Sequence, residues 1–151
     1  MTIPERIPFA RIEKYYTRNI GTFAGGKQFM AFVVAEIDMA NPDRPWEERK
    51  RWYAVLHKFD ENGAHIGTDH WFAGTTADGE PAVTERAARR VTEFMSALPN
   101  VQFGDIAIRL FQTVIDGHLF GLCRDEESEN IVQLLPNDLV FYPPWDGSYD
   151  T

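Results

Sequence analysis

The fold is decided by residues 52–73, WYAVLHKFDENGAHIGTDHWFA, where the pair Asn62-Gly63 separates two stretches rich in β-branched and aromatic residues. An Asn-Gly pair supplies the positive φ angles of a two-residue hairpin turn, so the segment predicts two antiparallel strands. The pairs Gly25-Gly26 and Asp116-Gly117 divide similar stretches earlier and later in the chain. Three β-hairpins are therefore predicted.

An amphipathic helix is predicted over about residues 81–98, between the second and third hairpins. Its apolar residues recur at spacings of three and four, and they are Val83, Ala87, Val91, Phe94 and Leu98. Pro99 ends the pattern, because proline cannot continue a helix. Two short strands are expected at residues 131–135 and 139–142, and a loop at residues 41–48.

This order of elements predicts an α+β fold, in which one helix packs on one face of a mostly antiparallel sheet of about six to eight strands. The chain of 151 residues is 44% hydrophobic and 25% charged, and it contains no repeat and no Pro-, Gly- or Ser-rich linker. We therefore expect a single domain over residues 1–151. A chain of this length buries about 70% of its surface on folding, so its core needs no covalent staple.

The cysteine count and the hydropathy bound the class of protein. Cys123 is the only cysteine and there are four histidines, which excludes an intramolecular disulfide framework and the usual structural zinc site. No run of about 18 apolar residues is present, so we expect neither a membrane span nor a signal peptide. The expectation is a cytoplasmic protein without a cofactor or metal.

The charge is unevenly distributed along the chain. The net charge is −8; residues 1–58 carry ten Lys/Arg against seven Asp/Glu, and residues 59–151 carry five against sixteen. The balance argues against a nucleic acid partner, because phosphate binding needs clustered cations. An acidic C-terminal portion would suit a basic protein partner, and the alternative is that the acidity serves solubility alone. The oligomeric state stays open.

The third hairpin places two arginines and the cysteine. If Asp116-Gly117 is a two-residue turn, Arg109 pairs with Arg124, and Cys123 faces Leu110 as a buried core thiol. Two like charges directly opposite each other are unfavourable without an anion between them. The arginine pair is therefore either neutralised by a neighbouring acidic side chain or binds a small anion or a partner carboxylate.

The second hairpin places two histidines on one face. With a two-residue turn at Asn62-Gly63, His57 faces Thr68 and becomes a diagonal neighbour of His70. A metal would need a third ligand, but Asp69 points to the opposite face, so no metal site is predicted. His65 is expected at the loop end on that opposite face.

The C-terminal segment, residues 142–151, has prolines that favour an extended chain displaying Trp145, Asp146 and Tyr149. Exposed aromatic residues are typical of interfaces. The alternative is that the segment folds back to cover a sheet edge or an apolar patch. These two interpretations stay open at the level of the sequence.

Three stretches carry a resemblance to a known family: IPERIP at residues 3–8, RWYAVLHKFD at residues 51–60 and PPWDGSYDT at residues 143–151. Together they resemble a family of small uncharacterised bacterial cytosolic proteins, some of which are labelled formate hydrogenlyase regulatory protein. The resemblance spans nearly the whole chain and implies no role for individual residues.

The functional hypothesis is a non-catalytic, partner-binding protein, either a regulator or an immunity-type antidote, acting through an acidic, aromatic surface. It follows from the acidity and from the absence of a nucleophile, metal or phosphate-binding motif in the sequence. One alternative is a small enzyme with an acid/base group among His57, His70, Asp69 and Asp116. Another is a small-ligand binder, with the ligand held between helix and sheet or on the His57/His70 face.

Overall fold

A helical layer, a five-stranded sheet and a four-stranded sheet are stacked in that order in the computed structural model, which describes residues 2–149. The five-stranded sheet has the spatial order β5 (His65–Thr75), β4 (Lys50–Phe59), β3 (Lys27–Ile37), β2 (Ile20–Phe23) and β6 (Gln102–Phe103). All strand pairs in the three sheets are antiparallel. The chain is therefore an α+β protein, and residues 2–149 form eleven strands rather than the six to eight expected.

The strands fall into three groups. A two-stranded sheet joins β1 (Ile7–Phe9) and β7 (Ile106–Ile108). The five-stranded sheet contains β2 (Ile20–Phe23), β3 (Lys27–Ile37), β4 (Lys50–Phe59), β5 (His65–Thr75) and β6 (Gln102–Phe103). The four-stranded sheet contains β8 (Phe111–Ile115), β9 (His118–Arg124), β10 (Val132–Leu135) and β11 (Leu139–Phe141).

The helices are α1 (Trp46–Arg49) and α2 (Glu80–Ser96), with two 3₁₀ turns at Tyr16–Asn19 and Thr76–Asp78. The predicted amphipathic helix is confirmed as α2, which begins one residue before Pro81. The expectation of a plain loop at residues 41–48 is wrong in part, because α1 starts there. Pro45 precedes the first turn of α1, and that turn carries Glu47 and Glu48, whose charges suit a helix N-terminus.

The five-stranded sheet is buried on both faces, which gives the protein two apolar clusters. Helix α2 covers one face with Val83, Ala87 and Val91. The four-stranded sheet and the β1–β7 pair cover the other face. Consequently five consecutive residues of β4, residues 53–57, are all buried. The histidine among them, His57, lies in the core between the two sheets.

The predicted hairpins are present, with differences at two turns. The first turn has three residues, Ala24, Gly25 and Gly26, all with positive φ. The third turn has the two predicted residues, so every paired position of β8 and β9 follows the predicted register. The second loop spans residues 60–64 rather than two residues.

The second loop changes the register at the end of its hairpin. Asp60 accepts hydrogen bonds from the backbone N–H groups of Asn62 and Ala64 through Oδ1, which stabilises a longer turn. The pairing shifts between Lys58 and Phe59, so Phe59 lies opposite His65. From Tyr53 to Lys58 the predicted pairing holds. The expectation that His65 lies on the face opposite His57 is wrong, because this bulge turns it toward His57.

Within residues 2–149, no helix has both the length and the apolar character needed to cross a membrane.

Candidate functional site

The four-stranded sheet has an outer face that is turned away from the core and is open to solvent. Strand register places eight positions there: Gln112, Val114, Leu119, Gly121, Cys123, Gln133, Leu135 and Val140. The exposed fraction is 67% for Val114, 41% for Leu119 and 37% for Val140. None of the eight positions is charged, although 25% of the chain is. Exposed apolar surface of this kind is typical of an interaction site.

Carboxylates stand at both ends of this outer face. The loop from β9 to β10, residues 125–131, contains Asp125, Glu126, Glu127 and Glu129, and we call it the acidic loop. The opposite end carries Asp116 in the β8–β9 turn and Asp138 in the β10–β11 turn. An uncharged centre with a charged rim is the usual arrangement of a protein interface.

Cys123 lies on the outer face, so its prediction as a buried core thiol is wrong. The predicted register of the hairpin is right, but the buried face is the other one, which carries Phe111, Phe120 and Leu122. The sequence predicts the wrong face because both faces of the hairpin carry apolar residues. The Cys123 Sγ lies 3.8 Å from the carbonyl oxygen of Phe111, and partial burial raises the pKa of the thiol. A raised pKa disfavours the thiolate that a nucleophile requires.

The predicted pairing of Arg109 with Arg124 is also wrong. β8 begins at Phe111, and the segment before it follows β7, which pairs with β1 rather than with β9. The Arg109 N–H donates to the carbonyl oxygen of Gly63, and its guanidinium lies 2.6 Å from the carboxylate of Glu5. Arg124 instead pairs with Val132 beside the acidic loop. The structure therefore does not bring the two arginines together.

His57 and His70 sit on the predicted face of the second hairpin but in different surroundings. His57 is fully buried among aromatic rings, and burial lowers its pKa to about 3. Thr68 Oγ1 lies 2.8 Å from His57 Nδ1 and 2.8 Å from His65 Nε2, so one hydroxyl links these two rings. His57 Nε2 is buried without a hydrogen-bond partner in the described chain. His70 is exposed.

The acid/base candidates are not gathered at one place. Asp69 forms an ion pair with Lys58 at 3.4 Å, on the face opposite His57. Asp116 accepts a hydrogen bond of 3.0 Å from the Tyr53 hydroxyl. Four grooves open on the surface of the described residues, and none of those four is lined by a histidine. Residues 2–149 contain no group of three or more His, Cys, Asp or Glu arranged to hold a metal ion.

The C-terminal segment packs back onto the core. Tyr149 contacts the rings of Phe9 and Phe141, and its hydroxyl donates to the carbonyl oxygen of Pro8 at 2.9 Å. Burial raises the pKa of this phenol to about 12. Trp145 packs against the same cluster, and its indole Nε1 is buried without a partner among residues 2–149. Of the three tail residues only Asp146 is exposed, and it accepts a hydrogen bond from the N–H of Ser148.

Comparison with known proteins finds no relative of this chain. No protein-family model matches the chain, and no curated protein or solved structure is significantly similar to it. The candidate site is therefore defined by its own geometry alone: an uncharged sheet face between two acidic ends.

Proposed function

We propose that this chain is a non-catalytic cytoplasmic protein that binds a basic protein partner through the outer face of its four-stranded sheet. The observation that carries the proposal is the run of uncharged outward positions, from Val114 and Leu119 across to Val140. An interface core depleted of charge supplies affinity by excluding water. The proposed site differs from the expected acidic, aromatic surface, because its exposed side chains are aliphatic and Trp145 and Tyr149 pack against the core.

The acidic residues at the ends of the outer face are the reason for proposing a basic partner. The acidic loop lies at one end of the outer face and Asp138 lies at the other end, where the carboxylate of Asp116 is already paired with the Arg51 guanidinium at 3.6 Å. Opposite charges at the rim steer association and exclude wrong partners, whereas like charges there would oppose binding. A regulator and an immunity-type antidote both fit this description, and the family resemblance noted above suits the regulator. The two are distinguished by whether the partner has an activity that binding blocks.

The test uses Val114→Arg, which places a charge at the most exposed apolar position of the outer face, on the edge strand β8. The tagged wild-type protein, purified from its native host, is expected to retain a basic protein in stoichiometric amount, and less of it as salt is raised. Val114→Arg is expected to lose that protein at unchanged melting temperature, because Val114 is already exposed. Ile66→Arg is the matched control, since Ile66 is exposed on β5, which belongs to the five-stranded sheet. Equal capture by both variants would contradict the proposal.

A further inference from the structure

β3 has a free edge along its second half. β2 pairs with β3 only from Lys27 to Met30, whereas β4 pairs with β3 from Gln28 to Ile37. The chain before β2 leaves the sheet as the 3₁₀ turn Tyr16–Asn19. Within the described residues, no strand therefore lies beside the edge of β3 beyond Met30.

The backbone groups on this edge follow from strand alternation. Asp38 donates its N–H to the carbonyl oxygen of Arg49, toward the β4 side. In an antiparallel pair, alternate residues direct their hydrogen-bonding groups to opposite edges, so Val33, Ala35 and Ile37 direct theirs to the free edge. These groups make no hydrogen bond to another residue between 2 and 149. Such an edge is a template for an additional strand.

Space for an extended chain lies beside these groups. A groove of about 630 Å³ is lined by Val33, by the helix residues Val91 and Met95, and by Asn137. A second groove, of about 410 Å³, follows along the same edge and is lined by Ala35, Ile37 and Leu135, among others. The Asn137 Oδ1 atom is buried without a partner in the described chain, which leaves an acceptor beside the groove for an incoming donor.

The two ends of the edge have opposite charge. The first groove is bordered by Lys14 and Arg18 and by no acidic residue, and neither cation forms an ion pair with a described residue. The second groove is bordered by Glu36 and Asp138. Desolvation raises the pKa of Glu36, whose Oε1 lies 3.4 Å from His118 Nδ1. An occupant with one basic and one acidic end would complement both grooves.

We propose that the free edge of β3 binds an extended peptide segment of a partner protein as an additional antiparallel strand. Its basic end lies at Glu36 and Asp138, and its acidic end lies at Lys14 and Arg18. Main-chain hydrogen bonds to β3 supply affinity, and the grooves select the side chains. The site goes beyond the outer face, although its second groove reaches Leu119 and Leu135, which belong to both surfaces.

A second copy of this chain is a poorer occupant than a single extended segment. The 3₁₀ turn Tyr16–Asn19 and the turn at residues 136–138 flank the edge, and both border the first groove. A single extended chain fits between these two turns. A second folded copy would bring its own two turns into contact with them. The net charge of −8 also opposes self-association.

The test uses a peptide that cannot aggregate with itself. The probe is acetyl-Lys-Val-Thr-Val-Thr-Val-Glu-amide, N-methylated at its second, fourth and sixth residues, so that only the edge that faces β3 keeps its N–H groups. The control has the same sequence, N-methylated at every residue from the second to the seventh, so that neither edge keeps its N–H groups. The first peptide is expected to shift the NMR amide signals of Val33, Ala35 and Ile37 with a dissociation constant of about 1 mM or less, and the control is expected to leave them unchanged.

Two protein variants test the cations beside the first groove and the N–H groups along the free edge of β3. The double variant Lys14→Glu/Arg18→Glu is expected to weaken binding of the first peptide by about three- to tenfold. The peptide with its terminal Lys and Glu exchanged is expected to bind this variant more tightly than it binds the wild type. Ala35→Pro removes one outward N–H without removing a bond to β4, and it is expected to abolish the shifts. Since Ala35→Pro could disturb folding, the charge variant keeps the proposal falsifiable.

Three outcomes would overturn the proposal: equal binding of the two methylated peptides, no shift at the edge up to about 2 mM peptide, or a concentration-dependent dimer held by β3. Val114→Arg separates this site from the proposed function, because it is expected to bind the first peptide like the wild type. If the peptide binds β3 but no partner is captured, the β3 proposal is supported and the outer-face proposal is contradicted. If a partner is captured through the outer face but the peptide does not bind, the outer-face proposal is supported and the β3 proposal is contradicted.

Discussion

Gly121 shows how a single residue shapes the outer face. It lies on β9 opposite Gln112 and Leu135, with a φ of +151°. A Cβ at this position would overlap the carbonyl oxygen of Phe111 on the neighbouring strand. Only glycine allows β8 and β9 to approach this closely.

Gly121→Ala is expected to lower the free energy of unfolding by about 2 kcal/mol or more, because the overlap is with backbone and cannot be relieved by a side-chain rotation. Gly117→Ala, in the turn of the same hairpin, is the control: it also has a positive φ, but its Cβ would meet no atom within 4 Å. It is expected to cost only about 1 kcal/mol. Urea denaturation of both variants measures the difference, and equal losses would refute a steric role for Gly121.

Among the elements, the C-terminal segment behaves as part of the core rather than as a free arm. Trp145 and Tyr149 lie 6.4 Å apart between ring centroids, in an edge-to-face arrangement. Gly147 N-terminal to Tyr149 accepts a hydrogen bond of 2.9 Å from the N–H of Ala10, which ties the segment to the start of the chain. Aromatic pairs of this kind add to the apolar area that they bury.

Two substitutions of Trp145 separate its packing from its unpaired indole N–H. Trp145→Ala is expected to lower the free energy of unfolding by about 2 kcal/mol, because it removes a large, partly buried side chain from the cluster. Trp145→Phe keeps an aromatic ring and removes the buried N–H that lacks a partner, so its cost is expected to be below about 1 kcal/mol. Chemical denaturation measures both values. Loss of partner capture by Trp145→Ala at unchanged stability would instead identify an interface anchor.

At the scale of the whole molecule, the stacking of two sheets places His57 where water does not reach. It lies between Phe32 and Phe111 and contacts rings from both sheets. Burial holds its pKa at about 3, and burial also lowers the pKa of His65. Below about pH 6.5 the unfolded chain therefore binds protons that the folded chain does not. The sign is that stability falls as the pH falls from about 6.5 toward 3.

At pH 5.5 the free energy of unfolding is expected to be about 1.4 kcal/mol lower than at pH 7.5 on account of His57. His57→Phe, which fits the aromatic surroundings, is expected to remove most of this difference. His70→Phe replaces an exposed histidine and leaves His57 in place, so it is expected to keep the difference. Denaturation curves at the two pH values measure it. An unchanged difference in His57→Phe would show that other groups carry the acid sensitivity.

Local chemistry made much of the fold predictable. Asp116-Gly117 is a two-residue turn, so the register of β8 and β9 follows from the sequence, and the spacing of Val83, Ala87 and Val91 predicts the helix and its buried face. Turn geometry and periodicity act over a few residues, so their outcome can be predicted from a single sequence. The bulge that places His65 on the His57 face could not be predicted, because it depends on the hydrogen bonds that Asp60 accepts within the longer loop.

The candidate site depended on the tertiary structure. The register predicts which side chains of β8 and β9 share a face, but the prediction that the face of Cys123 is buried is wrong, because aliphatic residues alternate with Phe111 and Phe120 and both sides are apolar. Only the contact of one side with the five-stranded sheet decides which side is left to solvent. Short-range turn geometry and periodicity thus specify the strands, the helix and most of the pairing. The exposed sheet face and the free edge of β3 were decided by contacts between segments far apart in the chain.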